Sequence, residues 1–550
     1  MIAEPKLLRR ELSISEQDQL VAALCDAEQL GGKISKPRLM ETHISYVVLV
    51  GGFVYKIKKA VDFGFLNFAT LQARRFYCIE EVRLNRRFAP NLYLGVVPIT
   101  GSLSSPRIGG GGDALEFAVK MREFPQELLA NNLVSRGQLT SAEIEELAAT
   151  LARFHLAAKQ ASCDSKFGTP ASILARAVEN FQELHELPTE IDRATVTALE
   201  RWTKDEFTRQ NVLFEDRKQA GYIRECHGDL HLGNIVRLDG CLTPFDCIEF
   251  NDDLRWIDVF SDVAFLTMDL DYHRRRDFSA RLLNQYLEAT GDYDGVALLR
   301  YYQVYRAIVR AKVAALKTRP VSDTPVGLSQ GYRDCANYLR LAQSYMASRQ
   351  TALIITHGFS GSGKTTLTQA LLEQVGAIRL RSDVERKRLH GLASSERSDS
   401  GLGAGLYTPD TTTTTYHRLL VLARTLLAAG HPVIVDATFL KQHDRRPFRE
   451  LAQQLAVPFA IADVHAPVDE LRRRVIQRAG QGRDASEATL SVLEQQLVSQ
   501  GKRVTRPRSL TTLMGVEVRR AAATANRFRC SNKSVIFPTS RVTMRQDPSH

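Results

Sequence analysis

The amino-acid sequence predicts a multidomain protein in which an α+β domain with two lobes precedes an α/β domain built on a parallel sheet. Three observations support this fold class. The length of 550 residues exceeds what one hydrophobic core can serve. The first 100 residues mix short strands with helices, and a mostly helical segment follows them. After residue 350 strands and helices alternate, which is typical of a parallel sheet covered by helices.

The predicted domain boundaries follow these changes of pattern. The first domain spans 1–347, with a small lobe at about 35–125 and a large lobe at about 126–347. The second domain spans 348–500. A basic tail, 501–550, is predicted to be disordered, and a nucleic-acid-binding arm is the alternative interpretation. Eleven of the 73 basic residues and two of the 62 acidic residues lie in this tail, so the rest of the chain carries a net charge of only +2.

Composition and cysteine usage exclude several classes of protein. The apolar fraction of 44% and the charged fraction of 25% are typical of soluble globular domains. The sequence has no run of 18 apolar residues and no basic-then-apolar start, so we expect a cytoplasmic protein without a membrane partner. The eight cysteines are scattered without a C-x-x-C pair. We therefore expect no disulfide and no structural zinc site.

Hydrophobic periodicity and turn residues predict the helices and strands of the first domain. Two short apolar runs around Gly51-Gly52 predict a hairpin, and a capping box at Thr140–Glu143 predicts the start of a helix that ends near Lys159. The small lobe is predicted to contain a helix at 15–30, strands at 46–50, 53–58 and 116–121, and a helix at 69–88. Further helices are predicted at 170–210, 276–318 and 328–349.

The second domain begins with a fresh apolar strand after residue 350. Strands are predicted at 351–356, 432–436 and 459–464, and helices at 364–375, 413–429, 444–455 and 467–479. The alternation predicts a parallel sheet with helices on both faces.

A phosphate-binding pattern, G-x-x-x-x-G-K-[ST], follows the first of these strands and opens the first helix. In this setting glycines let backbone N–H groups surround a phosphate, Lys364 neutralises its oxygens, and Thr365 can ligate Mg²⁺. ATP and Mg²⁺ are therefore the predicted cofactors. The candidate nucleotide-binding residues are Gly358, Ser360, Gly361, Ser362, Gly363, Lys364, Thr365 and Thr366.

Other polar positions of the second domain extend this pattern. Asp436 ends an apolar strand, where it can hold Mg²⁺ or its water, and the alternative is that it caps the following turn. Together the segments resemble the P-loop kinases that include polynucleotide 5′-kinases, zeta-toxin-like and adenylylsulfate-kinase-like enzymes. The resemblance implies that Asp383 and Arg386 act on the substrate side; the alternative is that Asp383 caps a helix whose basic residues face solvent. It also implies that Arg474 and Arg478 lie on a basic lid helix that closes over the phosphates; a solvated surface is the alternative.

The first domain carries H-G-D-L-H-L-G-N-I at 227–235, followed by a turn and P-F-D-C-I-E-F at 244–250. The spacing resembles the catalytic loop of protein kinases, and more closely that of the aminoglycoside phosphotransferase branch. The resemblance implies a protein-kinase-like fold with two lobes. Asp229 would orient and deprotonate the acceptor hydroxyl, while Asn234 and Asp246 would hold Mg²⁺ on the triphosphate.

The small lobe supports this resemblance, because a lysine-bearing strand and a glutamate-bearing helix precede the catalytic loop in the expected order and at the expected sequence distance. Lys56 is the candidate phosphate-binding lysine, although Lys58 points to the same strand face and stays open as the alternative. Glu81 is the candidate partner of that lysine, with Glu80 as the alternative. No G-x-G-x-x-G precedes this strand, which favours the aminoglycoside phosphotransferase branch over protein kinases.

Residues around the catalytic loop are predicted to hold it in place. Asp258 or Asp262 would brace the loop from the segment that follows it. His227 and His231 lack further ligands at metal spacing, so they are predicted to order the loop through hydrogen bonds.

The domain order resembles bacterial bifunctional aminoglycoside phosphotransferase-like/ATP-binding proteins over roughly 35–495. It implies a phosphotransferase with two ATP sites, in which the first domain phosphorylates a hydroxyl of a small molecule and the second is another kinase. The alternatives are an ATP-binding regulatory protein with one non-catalytic domain and a nucleic-acid 5′-hydroxyl kinase. The near-neutral body of the chain disfavours nucleic acid as a partner, and no protein partner is predicted.

Overall fold

A computed structural model shows two compact units, one formed by Met1–Arg275 with Leu298–Met346 and the other by Arg276–Ala297 with Ala347–His550. No helix in the described part of the chain is both long and apolar enough to cross a membrane. The structure describes residues 11–26, 37–64, 66–186, 192–316, 326–347, 350–394, 396, 398, 406, 408–481, 486–499 and 541–545.

The small lobe of the first unit is built on a six-stranded antiparallel sheet with the order β1-β2-β3-β6-β4-β5. The predicted hairpin is present, because β2 and β3 pair across Gly51 and Gly52. The elements are α1 (Ile14–Leu24), β1 (Arg38–Glu41), β2 (Ser45–Val50), β3 (Phe53–Lys58), α2 (Leu71–Asn85), β4 (Tyr93–Ser102), β5 (Ser105–Ile108) and β6 (Glu116–Arg122).

Helices cover this sheet through two separate apolar clusters. Helix α1 buries Leu20 in a cluster with Val48 and Ile57. Helix α2 buries Val82 in a second cluster with Val119. Burial of such side chains contributes about 1.5–3 kcal/mol each. The packing therefore fixes β3 at the centre of the lobe, with α2 beside it.

The large lobe is mostly helical, as predicted, but two predicted helices are interrupted. The helix predicted at 170–210 is two helices, and the one predicted at 276–318 breaks at Gly291, whose φ is +75°. The elements are α3 (Ala130–Ser135), α4 (Ser141–Ala157), α5 (Pro170–His185), α6 (Arg193–Gln219), β7 (Ile223–Glu225), β8 (Ile235–Leu238), β9 (Cys241–Pro244), α7 (Asp252–Arg255), β10 (Trp256–Asp258), α8 (Val259–Tyr272), α9 (Arg276–Thr290), α10 (Val296–Leu316) and α11 (Val326–Met346).

The second unit contains a five-stranded sheet with the order β12-β13-β11-β14-β15. Strands β12, β13, β11 and β14 are parallel, which confirms the predicted α/β fold. The elements are β11 (Leu353–His357), α12 (Lys364–Val375), β12 (Ile378–Arg381), α13 (Ser382–Leu389), α14 (Pro409–Ala428), β13 (Val433–Asp436), α15 (Gln442–Gln454), β14 (Phe459–His465), α16 (Val468–Gln481), α17 (Leu490–Ser499) and β15 (Arg541–Arg545).

Two segments differ from the sequence-based division. Helix α9, assigned by sequence to the first domain, clusters with the second unit because Asn284 Nδ2 donates to Ala377 O at 2.9 Å and Asn284 Oδ1 accepts from the Arg379 N–H at 2.7 Å. Strand β15 lies within the predicted tail and pairs antiparallel with β14. The rest of the predicted tail, 501–540 and 546–550, lies outside the described residues.

Candidate active sites

The lysine strand of the first unit places two ammonium groups on one side of the sheet. Lys56 and Lys58 alternate with Ile57 along β3, so both point toward α2. Helix α2 presents Glu81 there, at 3.0 Å from Lys56 Nζ and 2.7 Å from Lys58 Nζ. Glu80 instead pairs with Arg83 at 2.8 Å. Of the two candidate glutamates, Glu81 is thus the one that contacts the lysines.

The two lysines have different further partners. Lys56 Nζ lies 2.7 Å from Asp246 Oδ1, and its side chain is 16% exposed. Lys58 is fully buried and pairs with Glu249, a residue that the sequence analysis did not identify. Lys56 therefore forms an ion pair with Asp246, the residue predicted to hold Mg²⁺. Lys58 instead lies between the carboxylates of Glu81 and Glu249.

Electrostatics favour the charged forms of Lys56 and Glu81. Burial alone would lower the pKa of Lys56, but the carboxylates of Asp246 and Glu81 raise it well above its ordinary value. Burial alone would raise the pKa of Glu81, but the two lysines lower it. Burial raises the pKa of Glu249, against the opposing charge of Lys58. Lys56 is therefore an ammonium at neutral pH, as phosphate binding requires.

The catalytic loop brings Asp229 and Asn234 together. Asn234 Nδ2 donates to Asp229 Oδ2 at 2.9 Å and to the Asp229 carbonyl at 3.0 Å. Desolvation alone would raise the pKa of Asp229, but the charge of His231 and of Arg310 lowers it below its ordinary value. The Asp229 side chain is 37% exposed, so the ionised carboxylate is open to a ligand.

Asp262 braces this loop, which distinguishes it from the alternative Asp258. Its carboxylate accepts the backbone N–H of His227 at 2.7 Å and that of Gly228 at 3.0 Å. Asp258 instead binds the guanidinium of Arg217 at 2.7 and 2.8 Å. Hydrogen bonds to a buried carboxylate are charge-assisted, so Asp262 holds the loop backbone firmly.

Hydrogen bonds also tie the catalytic loop to the segment with Asp246. His227 Nε2 lies 2.9 Å from the Phe245 carbonyl, and the Phe245 N–H donates to the Asn234 carbonyl at 2.9 Å. Asp246 has a φ of +64°, a strained conformation for a residue with a side chain and one that clusters at functional sites. The oxygens of Asn234 and Asp246 are of the type that Mg²⁺ prefers, so the donor set fits this ion.

Three residues that support the loop escaped the sequence analysis. Arg306 Nη1 donates to the Gly228 carbonyl at 2.8 Å, and Arg310 Nη1 lies 3.2 Å from His231 Nε2. Asp269 accepts the backbone N–H of the residue after His231 at 2.8 Å. Helix α10 also contains Arg300, Gln303 and Lys312, so its sequence pattern does not single out Arg306 and Arg310.

The glycine loop of the second unit follows β11 and needs glycine for steric reasons. Gly358 has a φ of +150°, and a Cβ there would lie 2.3 Å from the carbonyl oxygen of Val464. Gly361 has a φ of +80°, and a Cβ there would lie 2.9 Å from the carbonyl oxygen of Leu471. Side chains at either position would push the loop away from its present path.

Lys364 folds back onto its own loop. Its ammonium donates to the carbonyls of Gly358 at 3.0 Å and Phe359 at 2.7 Å. Burial lowers the pKa of Lys364 to about 8, although the charges of Asp436 and Asp383 oppose this shift. Both carboxylates therefore lie within electrostatic reach of the Lys364 ammonium.

The other predicted residues of the second unit lie at strand and helix ends. Asp436 ends β13, is buried, and accepts from Thr368 Oγ1 at 3.2 Å. Thr365 and Thr366 lie in the first turn of α12. On α13 the side chains of Asp383 and Arg386 form an ion pair at 3.1 Å.

Helices α16 and α17 contact the loop through different residues. Arg474 Nη1 lies 3.4 Å from the Ser362 carbonyl, and Arg478 donates to the Ala488 carbonyl at 3.2 Å. Gln496 escaped the sequence analysis. Its Oε1 accepts the Ser360 N–H at 3.0 Å, and its Nε2 donates to Ser360 Oγ at 3.1 Å.

Comparisons with known proteins match two different families to two parts of the chain. The phosphotransferase enzyme family matches residues 81–299, and an AAA domain matches residues 353–501. The uncharacterized protein Rv2004c of Mycobacterium tuberculosis is 32% identical over 447 residues, covering 81% of this chain and 87% of the relative. Ethanolamine kinase of Plasmodium vivax covers 62% of this chain and 98% of its own, at 11% identity and a TM-score of 0.36. The match to a gluconokinase from Sinorhizobium meliloti covers 32% of this chain and 91% of the gluconokinase, at 23% identity and a TM-score of 0.21.

Proposed function

This chain belongs to the family of proteins that join an aminoglycoside phosphotransferase-like domain to a C-terminal P-loop kinase-like domain, and we propose that it is an ATP- and Mg²⁺-dependent kinase with two ATP sites. In this proposal the first domain phosphorylates a hydroxyl group of a small molecule. The second domain is a separate kinase whose acceptor differs from that of the first.

One observation carries the proposal for the first domain: residues from distant parts of the chain converge on one cluster. Lys56 and Asp246 are 190 positions apart and form an ion pair at 2.7 Å. The backbone next to Asp246 is bonded to Asn234, whose side chain in turn contacts Asp229. Phosphoryl transfer depends on positioning and charge neutralisation, and this cluster supplies groups for both.

The residues of the first domain have distinct roles in the proposed reaction. Lys56 binds phosphate oxygens of ATP, while Asn234 and Asp246 hold Mg²⁺. Mg²⁺, when bound, neutralises charge on the triphosphate and on the departing ADP. Asp229 accepts the proton of the acceptor hydroxyl. The hydroxyl oxygen bonds to the γ-phosphorus while the bond between the γ-phosphorus and ADP breaks. The lowered pKa of Asp229 keeps it ionised for this role at neutral pH.

The second domain uses backbone donors together with a lysine. The glycine loop and the start of α12 present N–H groups to a phosphate, and Lys364 adds a positive charge. Thr365 and Asp436 hold Mg²⁺ in this proposal. Asp383 accepts the proton from a substrate hydroxyl, and its ion-pair partner Arg386 binds a phosphate group.

The test is label transfer from γ-labelled ATP by the purified full chain. Pooled small metabolites and 5′-hydroxyl oligonucleotides are supplied separately as acceptors, and the variants Asp229→Asn and Lys364→Met are compared with the wild type. We expect one labelled metabolite product to disappear in Asp229→Asn alone, and another labelled product to disappear in Lys364→Met alone.

Other outcomes would change the proposal in specific ways. Labelled oligonucleotides that depend on Lys364 would identify the second domain as a nucleic-acid 5′-hydroxyl kinase. ATP binding without any labelled acceptor in either pool would contradict the proposal and favour the regulatory alternative.

A further inference from the structure

A group of three potential metal ligands lies at the end of two neighbouring strands in the second unit. His357 is the last residue of β11, and Asp463 and His465 lie on the adjacent parallel strand β14. His357 is paired in register with Asp463, so the two side chains share a face of the sheet. His465 is two residues beyond Asp463 and points to that same face.

The three side chains converge on one point. His357 Nδ1 and His465 Nε2 both lie 2.7 Å from the same oxygen, Asp463 Oδ1. One ligand atom from each of the three residues lies within 4.8 Å of those of the other two. The side chain of Asp463 is 6% exposed, whereas those of His357 and His465 are 25% and 52% exposed. The group is therefore anchored on a buried carboxylate and open to solvent on the histidine side.

Two imidazoles and one carboxylate are the ligands of many divalent transition-metal sites. Such ligands bind Zn²⁺ at about 2.0–2.2 Å and leave a fourth position for water. The observed spacing places all three ligand atoms near a common centre with only small side-chain movements. Mg²⁺ prefers a shell of oxygens, so this donor set differs from the one proposed around Thr365.

We propose that His357, Asp463 and His465 bind a divalent transition metal ion of the Zn²⁺ class. The proposal does not depend on the kinase activity of either domain. A metal ion at this site would affect the neighbouring glycine loop, because His357 directly precedes Gly358, the first residue of that loop. A bound ion would link the end of β11 to β14, where Gly358 already approaches the Val464 carbonyl closely.

One neighbouring cation bears on the proposal. The pKa of Arg445 is lowered by burial, and the charge of Asp463 opposes this shift, so the guanidinium lies within electrostatic reach of the carboxylate. Arg445 donates to the Phe439 carbonyl at 2.7 Å, a contact that does not require Asp463. Metal binding at Asp463 is therefore compatible with the present position of Arg445.

The experiment uses Zn²⁺ alone, without nucleotide, on the full chain after dialysis against a chelator. Bound Zn²⁺ is counted by equilibrium dialysis, and Co²⁺ serves as a coloured probe of the ligand set. The test variants are His465→Ala and Asp463→Asn. The matched control is His443→Ala, because His443 is 75% exposed and lies 3.3 Å from the carboxylate of Asp444 outside the group.

We expect one tight Zn²⁺ per wild-type chain, with at least a tenfold loss of affinity in His465→Ala and Asp463→Asn and no loss in His443→Ala. The Co²⁺ absorption should disappear in the same two variants. His465 is half exposed, so its variant decides the matter even if Asp463→Asn fails to fold. Wild-type affinity in His465→Ala, or an equal loss in His443→Ala, would overturn the proposal.

Discussion

The two candidate ATP sites hold their lysines in opposite ways. In the first unit Lys56 is paired with two carboxylates, Asp246 and Glu81, and its pKa is raised. In the second unit Lys364 donates only to loop carbonyls among the contacts described, and burial lowers its pKa to about 8. The first site is a network of ion pairs. In the second site a backbone loop surrounds the Lys364 ammonium, whose pKa is lowered.

This difference predicts different responses to substitution. The contact between Lys56 and Asp246 spans 190 positions, so the first site exists only when the whole unit is folded. Lys364 contacts a residue six positions away, so its own hydrogen bonds are local, although Gln496 reaches the same loop from 136 positions away. Substitutions in the first site should therefore affect folding as well as chemistry, whereas those at Lys364 should affect mainly ligand binding.

The largest expected effect follows removal of the carboxylate at the catalytic loop. Asp229→Asn should lower the rate of phosphate transfer by the first domain by about 10²–10⁴-fold, because the amide cannot accept the proton of the acceptor. The measurement is the initial rate of labelled product formation. The control Asp239→Asn changes an exposed loop residue with a φ of +49°, a conformation that Asn also adopts, and should keep the wild-type rate.

The next largest effect concerns the stability of the lysine network. Glu81→Gln leaves Lys58 and Lys56 buried beside a neutral group, so the free energy of unfolding should fall by about 3 kcal/mol. Glu80→Gln breaks a pair with the half-exposed Arg83 and should cost less than about 1 kcal/mol. Urea unfolding of both variants measures the difference, and equal losses would show that Glu81 holds no special place in the network.

An intermediate effect is expected from pH at the second site. Lys364 is protonated below its pKa of about 8, and in the proposed function its ammonium binds phosphate oxygens. ATP affinity at this site should therefore fall by up to about tenfold per pH unit as the pH rises above 8, until the pKa of the complex is reached. ATP titrations between pH 7 and pH 10 test this. At the second site Lys364→Met should bind ATP weakly with no such dependence, and a flat profile for this site in the wild type would contradict the prediction.

The smallest expected effect concerns the contact between α17 and the glycine loop. Gln496→Ala removes the acceptor of the Ser360 N–H and makes that donor available to a phosphate. Since one hydrogen bond contributes about 0.5–1.5 kcal/mol, ATP affinity at the second site should rise by roughly two- to tenfold. The neighbouring exposed residue provides the control Gln495→Ala, which should not change the affinity. Weaker binding in Gln496→Ala would instead indicate that α17 supports the loop.

The parts of the molecule that depend on local pattern could be predicted from the sequence. Helix α12 begins at Lys364 and ends at Val375, as predicted, because the glycine loop and Gly376 fix its two ends. The choice between Lys56 and Lys58 could not be made, because residues two apart on a strand share a face. The positions of Asp246 beside Lys56 and of Glu249 beside Lys58 separate their surroundings.

Long-range contacts account for what the sequence did not reveal. Arg306 lies 78 positions from the Gly228 carbonyl that it contacts, and Gln496 lies 136 positions from Ser360. Neither contact leaves a local motif. Helix α9 likewise has an ordinary helical pattern, and long-range contacts such as the bonds from Asn284 to Ala377 and Arg379 reveal which sheet it covers.

If the chain holds two independent ATP sites, each chain binds two nucleotides, and this number can be measured. Equilibrium dialysis with labelled ATP and Mg²⁺ would compare the wild type with Lys56→Met, Lys364→Met and the double variant. Lys120→Met, on the strand beside Lys56, is the control. We predict two ATP molecules for the wild type and the control, one for each single variant and none for the double variant. A wild-type value of one, abolished by a single substitution, would contradict the account.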